Sequence, residues 1–254
     1  FPRARAAGLA CIEWIYEEPN EGRNPLGTDD GIAEIHALAR EHGVAVRSVC
    51  ADYYMTRRLV APDGQPERAN QEHLDWLVGR MAKLGAAYAV LPFVDSSSLA
   101  SEAERATAVG VMRAAAAAAR RHRVELHVEC DLQPEAFAAL LDAVGEPLVK
   151  ANYDIGNSAS LGYAPREELG AIGRHLGSVH VKDRLRGGGT VPLGTGAADL
   201  RASFAMIRAS GFSRWFILQA ARGEDGDEVA LAARNRALVE HLWSEAAPDG
   251  GERS

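Results

Sequence analysis

The sequence predicts an α/β fold, a (β/α)8 barrel, on three observations. Amphipathic helices alternate strictly with short β-rich runs, which means a parallel sheet with helical crossovers. Polar residues end strand after strand, at Glu13, Asp52, Asp95, Glu129, Asp154, His180 and Gln219. A barrel gathers the C-terminal ends of its strands at one mouth, whereas a doubly wound sheet would not converge so many. Finally, no glycine-rich fingerprint follows the first strand, so a dinucleotide-binding sheet has no anchor.

The strands are expected at Cys11 to Ile15, Val44 to Ala51, Ala87 to Val94, Val124 to Cys130, Leu148 to Asp154, Ser178 to Val181 and Arg214 to Leu218. All but the fourth follow a glycine, at Gly8, Gly43, Gly85, Gly145, Gly177 and Gly211. Each of these is read as the left-handed residue that ends a helix, a conformation glycine adopts cheaply. Helical periodicity is clear over 70–84, where Leu74, Leu77, Val78, Met81 and Leu84 form a stripe, and over 134–144, with Phe137, Leu140, Leu141 and Val144. Ser101 and Glu104 form a capping box, and Pro134 and Pro165 suit first-turn positions. The run Ala114 to Ala119 is helix rather than low-complexity sequence.

Residues 1–254 therefore read as a single barrel domain. The chain shows seven strands where a barrel of this type needs eight, and it opens in a helix, Phe1 to Ala7. A first strand is expected upstream of residue 1. Without it the sheet has a gap between the strands carrying Glu13 and Gln219.

Composition excludes several classes. A hydrophobic fraction of 47% with 25% charged residues belongs to a globular protein, not a disordered one. No apolar run approaches a membrane span. The net charge of −7 argues against a nucleic-acid binder, which would carry a basic face. Three scattered cysteines, Cys11, Cys50 and Cys130, make no disulfide framework and fit a reducing cytoplasm. No signal peptide is recognisable.

Four consecutive strand ends carry Glu129, Asp154, His180 and Gln219. In a barrel they line one arc of the mouth. Two carboxylates, an imidazole and an amide oxygen suit one divalent ion, with Mn²⁺ preferred and Mg²⁺, Co²⁺ or Zn²⁺ as alternatives.

Three blocks, Tyr153-Asp154-Ile155-Gly156-Asn157, His180-Val181-Lys182-Asp183 and Val191-Pro192-Leu193-Gly194-Thr195-Gly196, carry a likeness. The chain resembles the sugar phosphate isomerase/epimerase group of the xylose isomerase-like TIM barrels. It is nearest in look to the L-ribulose-5-phosphate 3-epimerase and hexulose-6-phosphate isomerase type. The resemblance implies one divalent ion held by Glu129, Asp154, His180 and position 219. It also implies that glutamates at 129 and 219 act as opposed acid/base groups, while the metal polarises the carbonyl and stabilises the enediolate.

Position 219 departs from that pattern. An amide oxygen can ligate a metal, but it is uncharged and is no base near neutral pH. The ion with its ligands goes from net −1 to neutral. Two-base epimerisation is then in question, while one-base chemistry through Glu129 is not.

Other residues carry weaker readings. Glu13, Asp52, Asn157, Lys182 and Arg186 are candidate substrate contacts, the first three toward sugar hydroxyls and the last two toward substrate oxygens or an anion. Trp14, Tyr16, Tyr53 and Tyr54 are read as an apolar wall or as filler beneath loops. His127 is read as a hydrogen-bonded core histidine. The Gly194-Thr195-Gly196 turn is not taken as a phosphate site, Arg120 to Arg123 are a solvated helix end, and Glu224 is a loop residue.

The leading expectation is a metal-dependent isomerase or epimerase of a small ketose, sugar acid or sugar phosphate, with Glu129 as base. It would have a carbohydrate partner, no nucleic acid and no membrane, with a homo-oligomer left open. The alternatives are a metal-dependent lyase dehydrating a polyol ketone, and a decayed barrel serving as a binding subunit. DNA-repair nucleases of this fold need more strand-end histidines than His127 and His180.

Overall fold

The computed structural model describes residues 1–223 and 226–247. Seven parallel strands form one sheet: β1 (Cys11–Ile15), β2 (Ala45–Cys50), β3 (Tyr88–Phe93), β4 (Glu125–Cys130), β5 (Val149–Asp154), β6 (Leu176–Val181) and β9 (Ile217–Leu218). They lie side by side in that order, with β1 and β9 at the two edges. The predicted gap is therefore present. A cavity of about 290 Å³ occupies it, lined by Cys11, Glu13, Phe216, Leu218 and Gln219 among others.

The helices nevertheless run almost all the way round. From α2 (Asp29–His42) they pass through α4 (Arg68–Leu84), α5 (Glu102–His122), α6 (Pro134–Val144), α8 (Pro165–Ile172), α9 (Leu200–Ala209) and α10 (Glu228–Glu245), each packed on the next. α10 in turn packs on α1 (Pro2–Ala6), where Arg236 donates to the Ala7 carbonyl at 3.2 Å. The short helices α3 (Tyr53–Thr56) and α7 (Ile155–Leu161) follow β2 and β5 at the mouth. No helix among the described residues is long and apolar enough to cross a membrane.

The helix signals work as read. The stripes of α4 and α6 are buried in full, each large apolar side chain contributing about 1.5–3 kcal/mol. Ser101 and Glu104 close the capping box of α5 reciprocally. Gly8, Gly43, Gly85, Gly145 and Gly211 have positive φ. At the end of α5, where no glycine stands, Arg123 takes the left-handed conformation itself at φ 57°.

Gly177 is a correction. It does not end a helix but sits inside β6, which begins at Leu176 rather than Ser178. Its glycine is needed for space: a Cβ there would lie 2.7 Å from Cε1 and Nε2 of His127 and from Cβ of Lys150. A two-residue ribbon was not foreseen either. β7 (Asp183–Arg184) pairs antiparallel with β8 (Thr190–Val191). The buried Asp183 carboxylate anchors it, accepting from the backbone N–H groups of Gly194 (2.9 Å), Gly196 (2.9 Å) and Ala198 (3.1 Å). The Gly194-Thr195-Gly196 turn thus gives the N–H groups of Gly194 and Gly196 to an internal carboxylate.

Gly177→Ala is expected to destabilise the fold by about 1–3 kcal/mol through overpacking against His127. A denaturant titration should show a lower midpoint at unchanged slope. A wild-type midpoint would contradict this account of β6.

Candidate metal centre

Residues two apart on a strand share a face. Glu125, His127 and Glu129 of β4, Asn152 and Asp154 of β5, and Ser178 and His180 of β6 obey this rule. Asp154 and His180 are paired in register. One ligand atom each from Glu129, Asp154 and His180 lie within 4.8 Å of one another, and all three residues are buried. Nδ1 of His180 is 3.4 Å from Glu129 Oε2 and 3.9 Å from Asp154 Oδ2.

Each of these side chains is held from behind. Asp154 caps α7, its Oδ1 accepting from the Asn157 N–H at 2.8 Å, while Oδ2 meets Lys182 Nζ at 3.2 Å. Glu129 accepts from Asn152 Nδ2 on one oxygen (3.0 Å) and from Asn157 Nδ2 on the other (2.6 Å). His180 Nε2 is 2.8 Å from Glu13 Oε1, and Ser48 Oγ donates to the other Glu13 oxygen at 2.6 Å. A carboxylate on the far nitrogen of an imidazole fixes its orientation and leaves the near nitrogen to the site. Glu13, expected at a sugar hydroxyl, therefore stands behind His180.

The electrostatics are those of a site built around a cation. Burial raises the Asp154 pKa, and the neighbouring Glu129 charge raises it further. Burial also opposes charge on Glu129, but the His180 contact, Lys182 and Asn157 outweigh it and hold that carboxyl below its ordinary value. For His180, burial favours the neutral ring, yet Glu13 and Glu129 together push its pKa well above the usual imidazole range. Gln219 extends β9, its N–H donating to the Val181 carbonyl at 3.0 Å. Its side-chain oxygen is buried with no hydrogen-bond partner. A buried acceptor left unpaired costs about 1–3 kcal/mol. A cation would relieve the crowded carboxylates, so Glu129, Asp154 and His180 fit a divalent ion.

The other predicted contacts fall on both sides of the line. Lys182 reaches Asp154, as stated. Asn157 is engaged on Glu129, and its oxygen takes Arg184 Nη1 at 2.9 Å. Asp52 accepts from Cys50 Sγ at 3.1 Å. Burial raises its pKa, and Glu129 and Glu13 add to the rise, which places it in the same electrostatic field. Arg186 is not brought to the cluster. Its guanidinium lies over Gly162 at the end of α7, where a Cβ would come within 2.0 Å of it. Arg184, two residues earlier, stands where Arg186 was expected.

Of the aromatic group, Tyr16 and Tyr54 bond the two ring nitrogens of His73 at 3.1 and 2.9 Å, and Tyr53 stacks on that ring at 4.4 Å. Trp14 turns aside to Asn24. Glu224 lies outside the described residues. Asn152 and Ser178 were missed, although each is two residues from a strand-end candidate and so on the same face; Arg184, in the ribbon after β6, was missed as well.

The family model described as xylose isomerase-like TIM barrel matches residues 1–241. The chain belongs to this family. No protein of curated function matches the sequence. Among solved structures, a xylose isomerase domain protein from Planctomyces limnophilus is similar at 17% identity and a TM-score of 0.79, over 96% of this chain and 92% of that one. The IolI protein with a bound zinc atom shares 17% identity (TM-score 0.76, 96% and 91% covered). An L-ribulose 3-epimerase shares 17% (TM-score 0.77, 96% and 87% covered). At these identities the likeness shows the fold.

A divalent ion at His180 Nδ1 must displace the proton that Glu13 and Glu129 help the ring to hold. Mn²⁺ binding is therefore expected to release a proton and to tighten ~tenfold per pH unit as pH rises toward the raised pKa. Calorimetry in buffers of different ionisation enthalpy reads both effects. An affinity flat across about pH 6 to 8 would contradict this view of His180.

Proposed function

We propose that the protein is a divalent-metal-dependent isomerase or epimerase of a small ketose, sugar acid or sugar phosphate. Glu129, Asp154 and His180 would hold the ion, with the Gln219 amide oxygen as fourth ligand. The observation that carries this is the buried cluster of three ligand atoms within 4.8 Å, at strand ends of a xylose isomerase-like barrel. An L-ribulose 3-epimerase and a zinc-holding protein of the same fold lend support. Mn²⁺ is the ion the oxygen-rich set favours, and the free thiols of Cys11, Cys50 and Cys130 support a cytoplasmic setting.

The bound ion would supply a Lewis acid for the substrate carbonyl. The chain's own residues do the rest. Glu129 takes the proton from the carbon beside that carbonyl, and Asn152 and Asn157 hold its carboxylate at a fixed angle. Lys182 and Arg184 stand over Asp154 and Asn157 as donors toward substrate oxygens.

Gln219 cannot return a proton from the opposite face. This favours one-base chemistry, which aldose–ketose isomerisation and the first step of dehydration share. The dehydratase reading is kept for that reason. The decayed-barrel reading fits less well, because every ligand of the cluster keeps an orienting partner.

Elemental analysis of the purified protein is expected to give about one divalent ion per chain, lost in His180→Ala. Gln219→Glu should tighten Mn²⁺ binding about tenfold by adding a third carboxylate. Incubation of the loaded enzyme with a ketose and sugar phosphate panel in deuterated water should label the carbon next to the carbonyl, with loss of water marking the lyase. A metal-free protein that labels no substrate would sink the proposal.

A further inference from the structure

The barrel interior along β4, β5 and β6 is not apolar, as barrel cores usually are. A continuous chain of close polar contacts runs through it, from the N-terminal end of the sheet to the metal centre. At its foot, Glu125 is gripped by Arg214 through both guanidinium nitrogens and by Lys150 Nζ at 2.7 Å. Burial opposes its charge, but the bond from His127, with Arg214 and Lys150, holds its carboxyl far below the ordinary range. A carboxylate only accepts, so the facing Nε2 of His127, 3.0 Å away, carries a proton. His127 Nδ1 is 2.8 Å from Ser178 Oγ, which donates to Asn152 Oδ1 at 2.6 Å. With its oxygen taken, the Asn152 amide has its NH₂ left for the centre. Nδ2 sits 3.0 Å from Glu129 Oε2 and 3.2 Å from His180 Nδ1.

The slot for this chain is built into the backbone. Gly177 leaves the room that His127 fills. Tyr88 stacks on the imidazole at 4.1 Å with 13° between the rings. His127, Ser178 and Asn152 are all buried. Four groups of an otherwise ordinary core have been made polar, and each lies within 3.0 Å of the next.

We propose that Glu125, His127 and Ser178 are positioning residues: anchored by Arg214, they fix the direction of the Asn152 amide, which sets Glu129 and His180 at the spacing a divalent ion needs. The foot of the chain is ~13 Å from Glu129 along β4, four residues at a strand rise of ~3.3 Å. A change at Arg214 should therefore be felt at the metal centre although Arg214 touches no ligand. Without Ser178 Oγ, the amide loses the donor that holds its oxygen away from Glu129 and is free to turn over. The proposal rests on the metal reading above for its first readout only.

The test uses the full chain and Mn²⁺ alone. Ser178→Ala and Arg214→Gln are compared with wild type and with Arg120→Gln, which breaks an ion pair to Glu146 outside the chain. Mn²⁺ affinity by calorimetry should fall ~10-fold or more in the first two, the size of effect seen when the partners behind metal ligands are removed. Arg120→Gln should bind as wild type. Circular dichroism and thermal melts certify that the variants are folded. Wild-type affinity in folded Ser178→Ala and Arg214→Gln overturns the proposal, as does an equal loss in Arg120→Gln. If the wild-type protein binds no Mn²⁺, the metal reading fails on its own, and the chain is judged on the imidazole ¹⁵N resonances of His180 in the metal-free protein. These should move in Ser178→Ala and Arg214→Gln and stay in place in Arg120→Gln; resonances unmoved in all three overturn it.

Discussion

A buried imidazole held between two carboxylates is the interaction on which the rest of this site depends. His180 has Glu13 on one nitrogen at 2.8 Å and Glu129 near the other at 3.4 Å. Near 4 Å, and at an effective dielectric of about 20, one such pair is worth roughly 4 kcal/mol before desolvation. That is enough to keep a charge in a buried place but not to make the place comfortable. Asp154 adds a further carboxylate, offset by Lys182, by His180 and by the Asn157 N–H. The arrangement is stable in two ways, with a proton on His180 or with a cation among the ligands. Preorganised ligands that repel one another until a cation arrives are what an ion-binding site requires, and a core histidine serving stability alone would not need three acids around it.

The fold delivers this crowding at low cost because a parallel sheet puts alternate side chains of every strand on the same face. The ligands come from three neighbouring strands whose register is fixed by their own ladders and by the helices packed outside. Glu129, Asp154 and His180 lie on β4 to β6, none of them an edge strand. Gln219 and Glu13 do lie at the edges, and their side chains line the cavity there.

Local chemistry was legible in the sequence, and long-range placement was not. Strands and helices could be read because turn glycines, proline starts and apolar stripes act within a few residues. Glu129, Asp154 and His180 could be read because strand ends converge in any barrel. Gly177 was misassigned because its glycine answers to His127, fifty residues away, and not to its own φ. Arg186 was preferred over Arg184 because nothing local says how the ribbon after β6 turns; that is set by three backbone bonds to Asp183 from residues 11 to 15 positions downstream. Asn152 and Ser178 were overlooked for a different reason. They lie one step below the strand ends, where a hydrophobic residue is the ordinary expectation, and only the period-two rule applied downward from Asp154 and His180 would have singled them out.

Glu13 changes how the glutamine at 219 should be weighed. The family pattern places a carboxylate at 219, on the metal. This chain has an amide there and a buried carboxylate at Glu13, on the strand across the gap, 2.8 Å from the outer nitrogen of His180. A negative charge one imidazole removed from the ion still raises the donor strength of His180, but it cannot reach a substrate proton. The two positions are therefore not equivalent for chemistry even where they are nearly so for charge. An ion held by these residues would keep a firm imidazole ligand, have one fewer anionic ligand, and supply a stronger Lewis acid for it. On the proposed metal reading, proton transfer would fall to Glu129, whose two oxygens are held by the side-chain amides of Asn152 and Asn157.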